Sequence, residues 1–387
     1  MNKNKTDLLS KFRALRDDLN ANLLEREEAV DASLVGLLTA NHVLLLGPPG
    51  TAKSLLVRSI SERIEQATCF ERLLTKFSVP EELFGPLSLS ALENDRYQRM
   101  TAGTLVEAEI GFVDEVFKAN SSILNSMLGI MNERVFHENG VARPVPLLSL
   151  FGASNELPED GSLSALFDRF LIRVTLPSLA DDASVRALLD HKTKTPSATI
   201  TLDDLKAAQK EVSQVELTDD AREAILTIKR ESEFEGIQAS DRRWKACVGL
   251  VKARAFLEGE AQTSADHCEI LTAALWSEPG QIRIVERVVN KIANPLNLEA
   301  VELEDAAKDL YDQRPKPDQA NLTEALEPLL RQLSDIHTRL ENRIAKAPEK
   351  RTYRAKQALT KIENWHRELS TMALRTVSKL HMAPGAA

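Results

Sequence analysis

The residues best placed to do chemistry begin with Gly47-Pro48-Pro49-Gly50-Thr51-Ala52-Lys53-Ser54. They stand between an apolar run, Val43-Leu44-Leu45-Leu46, and a segment with helical period, Leu55, Leu56, Ile60 and Ile64. A glycine-rich turn between a strand and a helix lets backbone N–H groups and the helix N-terminus converge on an anion. Lys53 would then meet the outer phosphates of a nucleotide as a point charge, and the Ser54 hydroxyl would hold Mg2+. The usual pattern has glycine where this chain has Ala52. Alanine is the smallest replacement and tolerates helical angles, so the loop is expected to survive.

A second apolar run, Ile110-Gly111-Phe112-Val113, delivers Asp114 and Glu115 to its end. Asp114 would bind Mg2+ through water, and Glu115 would act as general base on an attacking water. Paired with the upstream loop, these acids imply nucleotide hydrolysis rather than binding alone. A third run, Leu147 to Ala153, ends in Ser154-Asn155, where Asn155 would touch both a γ-phosphate and the water; taken alone it reads as a turn residue. In Leu166-Phe167-Asp168-Arg169-Phe170, Arg169 has two readings: an ion pair with Asp168, or an arginine finger that neutralises transition-state charge in a neighbouring subunit. Ser240-Asp241-Arg242-Arg243-Trp244-Lys245 opens a helix capped by Ser240 or Asp241. An arginine there would fold over a nucleotide, or the segment is a solvated basic turn.

Strands alternating with helices set these groups along one edge of a parallel α/β sheet. Residues 6–40 read as helical from two apolar series, and after Pro177 the strand signal disappears into helices. Asn294-Pro295, Pro315 and Pro317 mark a connector. Beyond it, Leu326, Leu329, Leu333, Ile336 and Leu340 repeat at 3-4 spacing, as do Ala355, Leu359, Ile362, His366, Leu369 and Ala373. An antiparallel helical hairpin follows, with Tyr353, Trp365 and His366 as packing residues.

The chain has 387 residues, 43% of them hydrophobic, 28% charged and three of them cysteine, with a net charge of −9. This composition excludes a disordered chain and a disulfide framework. No run is long enough for a membrane span. The charged start, MNKNKTDLLSKF, is not a signal peptide, so a reducing cytoplasm is expected. Residues 311–387 hold 14 Lys and Arg against 9 Asp and Glu, a field too weak to require more than a solvated surface.

Together these residues resemble the AAA+ ATPases, and within them the MoxR family and its RavA group. The likeness runs from about Leu24 to Trp276. It rests on LLGPPGTAKS, FSVPEELFGPLSL, TAGTLVEAEIGFVDEVFKA, ILNSMLGIMNER, ASNELPE, ALFDRFLIR and SDRRWKA, in that order. The expected architecture is an α/β P-loop parallel sheet domain (1–177), an all-α lid (178–276), a connector (277–320) and a C-terminal helical hairpin (321–387). The resemblance implies insertions near 79–108 and 134–147 that face a ring pore or a client.

The resemblance also assigns roles. Gly47, Pro48, Pro49, Gly50, Thr51, Ala52, Lys53, Ser54 and Leu55 would bind ATP, and Ser54 and Asp114 would hold Mg2+. Glu115 matches the base, Asn155 the first sensor, Arg169 the trans finger, and Arg242 the second sensor, with Arg243 as the alternative. Glu25 and Arg26 fall near the adenine. The implied assembly is a homo-hexamer that remodels a protein client with a von Willebrand factor A domain partner. Beyond Trp276 the chain departs from the best-known members, which carry a β-containing appendage there. A nucleic-acid motor and an ATP-switched scaffold are the alternatives. Nucleic acid is not an expected partner, because no zinc ribbon, winged-helix pattern or aromatic-rich basic groove is visible.

Overall fold

A computed structural model describes residues 3–157, 164–179, 182–190, 195–316, 322–348 and 352–382. Two helices come first, α1 (Lys3–Asn22) and α2 (Glu27–Leu38). The apolar positions of α1, Leu8, Leu9, Phe12, Leu15 and Leu19, are all buried, as a single apolar helical face requires. Then follow β1 (His42–Leu46), α3 (Lys53–Ser61), β2 (Cys69–Leu73), β3 (Ile110–Asp114), α4 (Ser121–Glu133), β4 (Ser149–Ser154), α5 (Ser164–Arg169) and β5 (Phe170–Thr175). The strands form one sheet in the order β2-β3-β4-β1-β5, and every pairing is parallel. Helix α2 packs on β1 and β5, and α3 on β3 and β4. Every residue of β1 and β4 is buried, which is why both read as unbroken apolar runs.

The same criterion misses β2 and β5. Strand β2 lies at the sheet edge and buries only Phe70. Its Glu71 accepts from Arg58 Nε at 2.9 Å and from a second Arg58 nitrogen at 2.5 Å. Strand β5 carries a buried arginine, Arg173, inside its apolar sequence. The insertion at 79–108 forms two short helices, Glu81–Phe84 and Leu89–Leu92, with a bridge between Leu87 and Arg99. The insertion at 134–147 holds an antiparallel hairpin, Val135–Glu138 with Val141–Pro144.

A helix at Asp182–Leu189 comes next, then α6 (Leu202–Gln214), α7 (Asp219–Phe234), α8 (Asp241–Glu258) and a 3-10 segment, Ala265–Ala273. Thr201, Thr218 and Ser240 cap α6, α7 and α8, each side chain accepting from a backbone N–H in the first turn. The strand signal does not vanish entirely after Pro177: Ile200–Thr201 pairs with Ile64–Glu65. Helix α1, expected with the sheet, also packs on α6 and α8, and Phe12 meets Phe256 edge-on at 6.0 Å.

The chain divides into two compact units, Met1–Leu179 with Arg186–Val285, and Ala180–Val185 with Glu286–Ala387. In the second unit the two helices of the expected hairpin pack together, and the stretch expected as a connector is largely helical and adds a third helix to them. Residues 277–320 include helices Ile282–Ala293 and α9 (Pro295–Asp312), followed by α10 (Leu322–Ala345) and α11 (Tyr353–Met382). Ala300, Leu303 and Ala307 of α9 share a core with Leu326, Leu333 and Leu340 of α10 and with Ala355, Ile362 and Leu369 of α11. Pro295 occupies the first helical position, where the missing N–H costs no hydrogen bond, so it starts a helix rather than a linker. Trp365 stacks on Tyr311 with centroids 5.8 Å apart; the side chain of Tyr353 lies outside the described residues.

His42 ties the start of β1 to its neighbours. Leu150 N donates to Nδ1 at 2.9 Å, and Nε2 stands 3.0 Å from the Met131 carbonyl and 2.6 Å from Arg134 Nη1. Burial, and then the adjacent Arg134 guanidinium, push this ring down to about 3, against the bond to Met131. An unfolded histidine titrates near 6.5. Between those values the unfolded chain binds the extra proton, so the contribution is complete above pH 6.5. It falls by up to ~1.4 kcal/mol per unit as the solution is acidified. Urea titrations of the His42→Gln variant should show a shallower loss of stability between pH 6.5 and 4 than wild type, by up to one proton.

Candidate functional site

Strands β1, β4 and β3 are successive neighbours pointing the same way, so the residues after them gather along one edge. The loop after β1 passes close to the end of β5: a Cβ on Gly47 would stand 2.3 Å from the Leu176 carbonyl oxygen. Gly50 has φ of 81°, a region open to glycine at no steric cost. Ala52 is also left-handed, with φ 68° and ψ 23°. These are not the right-handed helical angles that alanine tolerates without strain. Glycine is usual at this place because the turn needs positive φ, and alanine pays about 1–2 kcal/mol for it.

Lys53 opens α3 and is buried. Its Nζ donates to Gly47 O at 2.6 Å, Pro48 O at 2.9 Å and Asn155 Oδ1 at 2.7 Å. Asn155 Nδ2 in turn donates to Glu115 Oε1 at 2.7 Å, and Lys118 Nζ stands 3.3 Å from Glu115 Oε2. Ser54 Oγ donates to Asp114 Oδ2 at 3.3 Å, and Glu115 N to Asp114 Oδ1 at 3.0 Å. Burial lowers the pKa of Lys53, while the carboxylates of Asp114 and Glu115 oppose the shift. Glu115 itself sits at φ 52°, a strained backbone of the kind that gathers at functional sites.

Thr51 Oγ1 donates to Pro48 O at 2.9 Å and braces the loop, whereas Pro48, Pro49, Gly50 and Leu55 are exposed. Arg26 is buried, and its guanidinium donates to Thr51 O at 3.1 Å, Pro177 O at 2.7 Å and Glu25 O at 2.7 Å. It pins the loop to the chain leaving the sheet.

The other arginines singled out from the sequence lie elsewhere. Arg169 immediately precedes β5, whose first residue, Phe170, pairs with His42. It lines a cavity of about 340 Å³ together with His42, Arg134, Asp168, Arg242 and Arg243. His42 and the loop are separated by the length of β1, four steps of ~3.3 Å, or roughly 13 Å. The structure thus unites Lys53, Ser54, Asp114, Glu115 and Asn155 at one end of the sheet. It gathers Arg169, Arg242 and Arg243 at the other, and does not bring these to Lys53.

Within the cavity the alternatives separate. Asp168 gives its carboxylate to Arg243 at 2.8 Å and Arg173 at 3.7 Å. Arg169 Nε is buried and donates to nothing among the described residues. Arg243 is 6% exposed, and its guanidinium is spent on Asp168, Leu171 O and Ala274 O. Arg242 is exposed, with a contact of 3.4 Å to Asn132 Oδ1. Arg134 and Arg173 were missed; a charge inside a run such as Phe170-Leu171-Ile172-Arg173-Val174 was the available signal.

Glu258, Glu260 and His267 also cluster, within 4.8 Å of one another. Ser264 N donates to His267 Nδ1 at 2.8 Å. The neutral ring therefore carries its proton on Nε2, the atom facing the carboxylates, and offers them a donor rather than a lone pair for a cation.

A parallel sheet of this order, with a phosphate loop after β1, paired acids after β3, a polar residue after β4 and a helical lid, defines the AAA+ ATPase fold. Residues 10–216 match the family described as the MoxR domain in the MoxR-vWA-beta-propeller ternary systems, and residues 220–289 match the AAA lid domain. The chain belongs to the MoxR family of AAA+ ATPases. An uncharacterized protein of Methanocaldococcus jannaschii is 43% identical over 282 residues, covering 72% of this chain and 75% of that protein. Chaperone MoxR1 of Mycobacterium tuberculosis is 29% identical over 158 residues, covering 40% of this chain and 41% of that protein. The crystal structure of a putative ATPase from Cytophaga hutchinsonii superposes with a TM-score of 0.61 at 17% identity, over 75% of this chain and 96% of that one, a likeness of fold alone.

The strained loop generates a prediction. Replacing Ala52 by Gly relieves ~1–2 kcal/mol of left-handed strain and returns ~0.4–1 kcal/mol of unfolded-chain entropy. Thermal melts of Ala52→Gly should show a small net gain, and Ala52→Val a loss.

Proposed function

We propose that this chain is an ATP-hydrolysing remodelling motor whose active sites are completed between subunits of a ring, hexameric as in the proteins it resembles. The observation that carries this reading is the division of one site's parts between two ends of the sheet. Lys53, Glu115 and Asn155 are joined by hydrogen bonds at one end, and Arg169 faces a separate basic cavity at the other. A second subunit placed with its cavity over the first subunit's loop would supply what that loop lacks. Arg242, which shares the cavity, would act on the same neighbouring nucleotide rather than on its own.

The donor set suits the chemistry. Ser54 Oγ and Asp114 Oδ2, 3.3 Å apart, are hard oxygen ligands of the kind Mg2+ takes. A bound Mg2+ would neutralise phosphate charge. Lys53 would bind phosphate oxygens, and Glu115 would take the proton from the attacking water. Asn155, already bonded to both, would keep the base aimed. The engaged Glu115–Asn155 pair favours hydrolysis over an ATP-switched scaffold.

The family description, which names von Willebrand factor A and β-propeller components in the same systems, supports the reading of a partner. We therefore expect a von Willebrand factor A protein as adaptor and a protein as client. This finer placement has a matched family behind it, where the RavA grouping rests on motifs alone. Phe77, Leu89 and Met100, exposed in and beside the 79–108 insertion, are the surface offered to a client. Unpaired thiols at Cys69, Cys247 and Cys268 suit a cytoplasmic setting.

Glu115→Gln should bind ATP within about twofold of wild type yet lose ~10²-fold or more in kcat. Arg169→Ala should assemble to the same mass by light scattering and lose ~10³-fold; full turnover in that variant would overturn the shared-site reading. Specific activity of wild type should fall on dilution, as the ring comes apart.

A further inference from the structure

Arg169 is framed on both sides by carbonyls that two other arginines hold. Arg173 Nε donates to Phe170 O at 3.0 Å, and a second nitrogen to Phe167 O at 3.3 Å. Arg243 donates to Asp168 O at 3.1 Å and to Leu171 O at 3.2 Å. The two residues before Arg169 and the two after it are thus each tied by one carbonyl. The remaining donors of both guanidinium groups go to the chain just beyond the 3-10 segment of the lid: Arg243 to Ala274 O at 2.7 Å, and Arg173 to Trp276 O. The Asp168 carboxylate closes the brace between them. Arg173 is also packed flat, its guanidinium carbon 4.0 Å from the Phe167 ring centroid. A planar fork with donors on several sides can hold two groups at once, which an ammonium cannot do in fixed geometry.

We infer that Arg243, braced by Arg173 and Asp168, is a positioning residue for Arg169 and carries the position of the lid to the ATP site of the next subunit. This rests on the reading of Arg169 as the group that completes a neighbour's site. Arg243 begins α8 in the lid, and the carbonyls it holds flank Arg169 at the α5–β5 corner. A lid that turns pulls on both sides of that corner. The Nε of Arg169 is buried and unbonded among the described residues, and its charge acts with those of Arg243 and Arg173 on the Asp168 carboxylate, so the backbone that carries it and the shared acid set its aim.

Subunit mixing tests this on the full chain. A Glu115→Gln subunit lacks its own base but presents an intact Arg169. Co-expressed with Arg169→Ala, it should restore turnover at the Arg169→Ala subunit's own site. Arg243→Gln alone should lose at least tenfold in kcat with the KM for ATP within twofold. Mixed with Glu115→Gln it should regain turnover, and mixed with Arg169→Ala it should not, because both lesions fall on the finger side. Arg243→Lys, which keeps the charge but not the fork, should fail to rescue. Asp168→Asn, at an exposed side chain, should give the same mixing pattern with a smaller loss, and it carries the test if Arg243→Gln does not fold. Wild-type kcat in Arg243→Gln, or in Asp168→Asn where that variant carries the test, would overturn the inference. So would restored turnover when either is mixed with Arg169→Ala. Full turnover by Arg169→Ala alone would instead sink the finger reading beneath it.

Discussion

The parallel direction of the five strands is the constraint from which the rest follows. In such a sheet the two ends are chemically different places. Every strand delivers its last residue to one end, and there Leu46, Asp114 and Ser154 close β1, β3 and β4 beside Lys53, Glu115 and Asn155. The other end receives the chain before each strand, and there the α5–β5 corner sets down Arg169. The length of β1 keeps the two sets apart within one subunit, and in the shared-site reading proposed above the chemistry falls at a contact between copies.

Much of this was legible, and the reasons are physical. Strands buried on both faces announce themselves as apolar runs, so β1, β3 and β4 stood out together with the groups at their ends. Strand β2 did not, because an edge strand with Glu71 and Arg72 pointing outward has a loop's composition. Strand β5 did not, because the charge of Arg173 hides inside it and is answered by the nearby Phe167 and Phe170 carbonyls, by Asp168 and by the distant Trp276 carbonyl. The left-handed turn at Ala52 was invisible, since a single alanine carries no mark of its φ. Likewise Asn294-Pro295 reads equally as a break or as a helix start until the packing of Leu303 and Ala307 decides it.

The buried arginines are an energetic choice. Moving a guanidinium out of water costs several kcal/mol unless its donors are met. Burial and the nearby Arg243 charge push Arg173 down to about 9, with Asp168 opposing. For Asp168, burial alone would raise the carboxyl, but the Arg243 hydrogen bond and the surrounding guanidinium charges hold it below the ordinary range. An apolar cluster of equal volume would suffer neither burden. It would also have no means of fixing backbone carbonyls one by one, which makes geometry, rather than stability, the quantity this cluster supplies.

The edge strand β2 has a consequence for how copies meet. An unpaired strand is a template onto which another chain can zip, the usual route to fibres. Here the template is spoiled: four of its five side chains stay in solvent, and Glu71 is clasped by Arg58 from the neighbouring helix. Charged gatekeepers of this kind close off growth by backbone pairing. In the assembly proposed above, association would be left to side-chain surfaces, which can slide, open and reseal, whereas a continuous ladder would lock neighbouring copies into a rod.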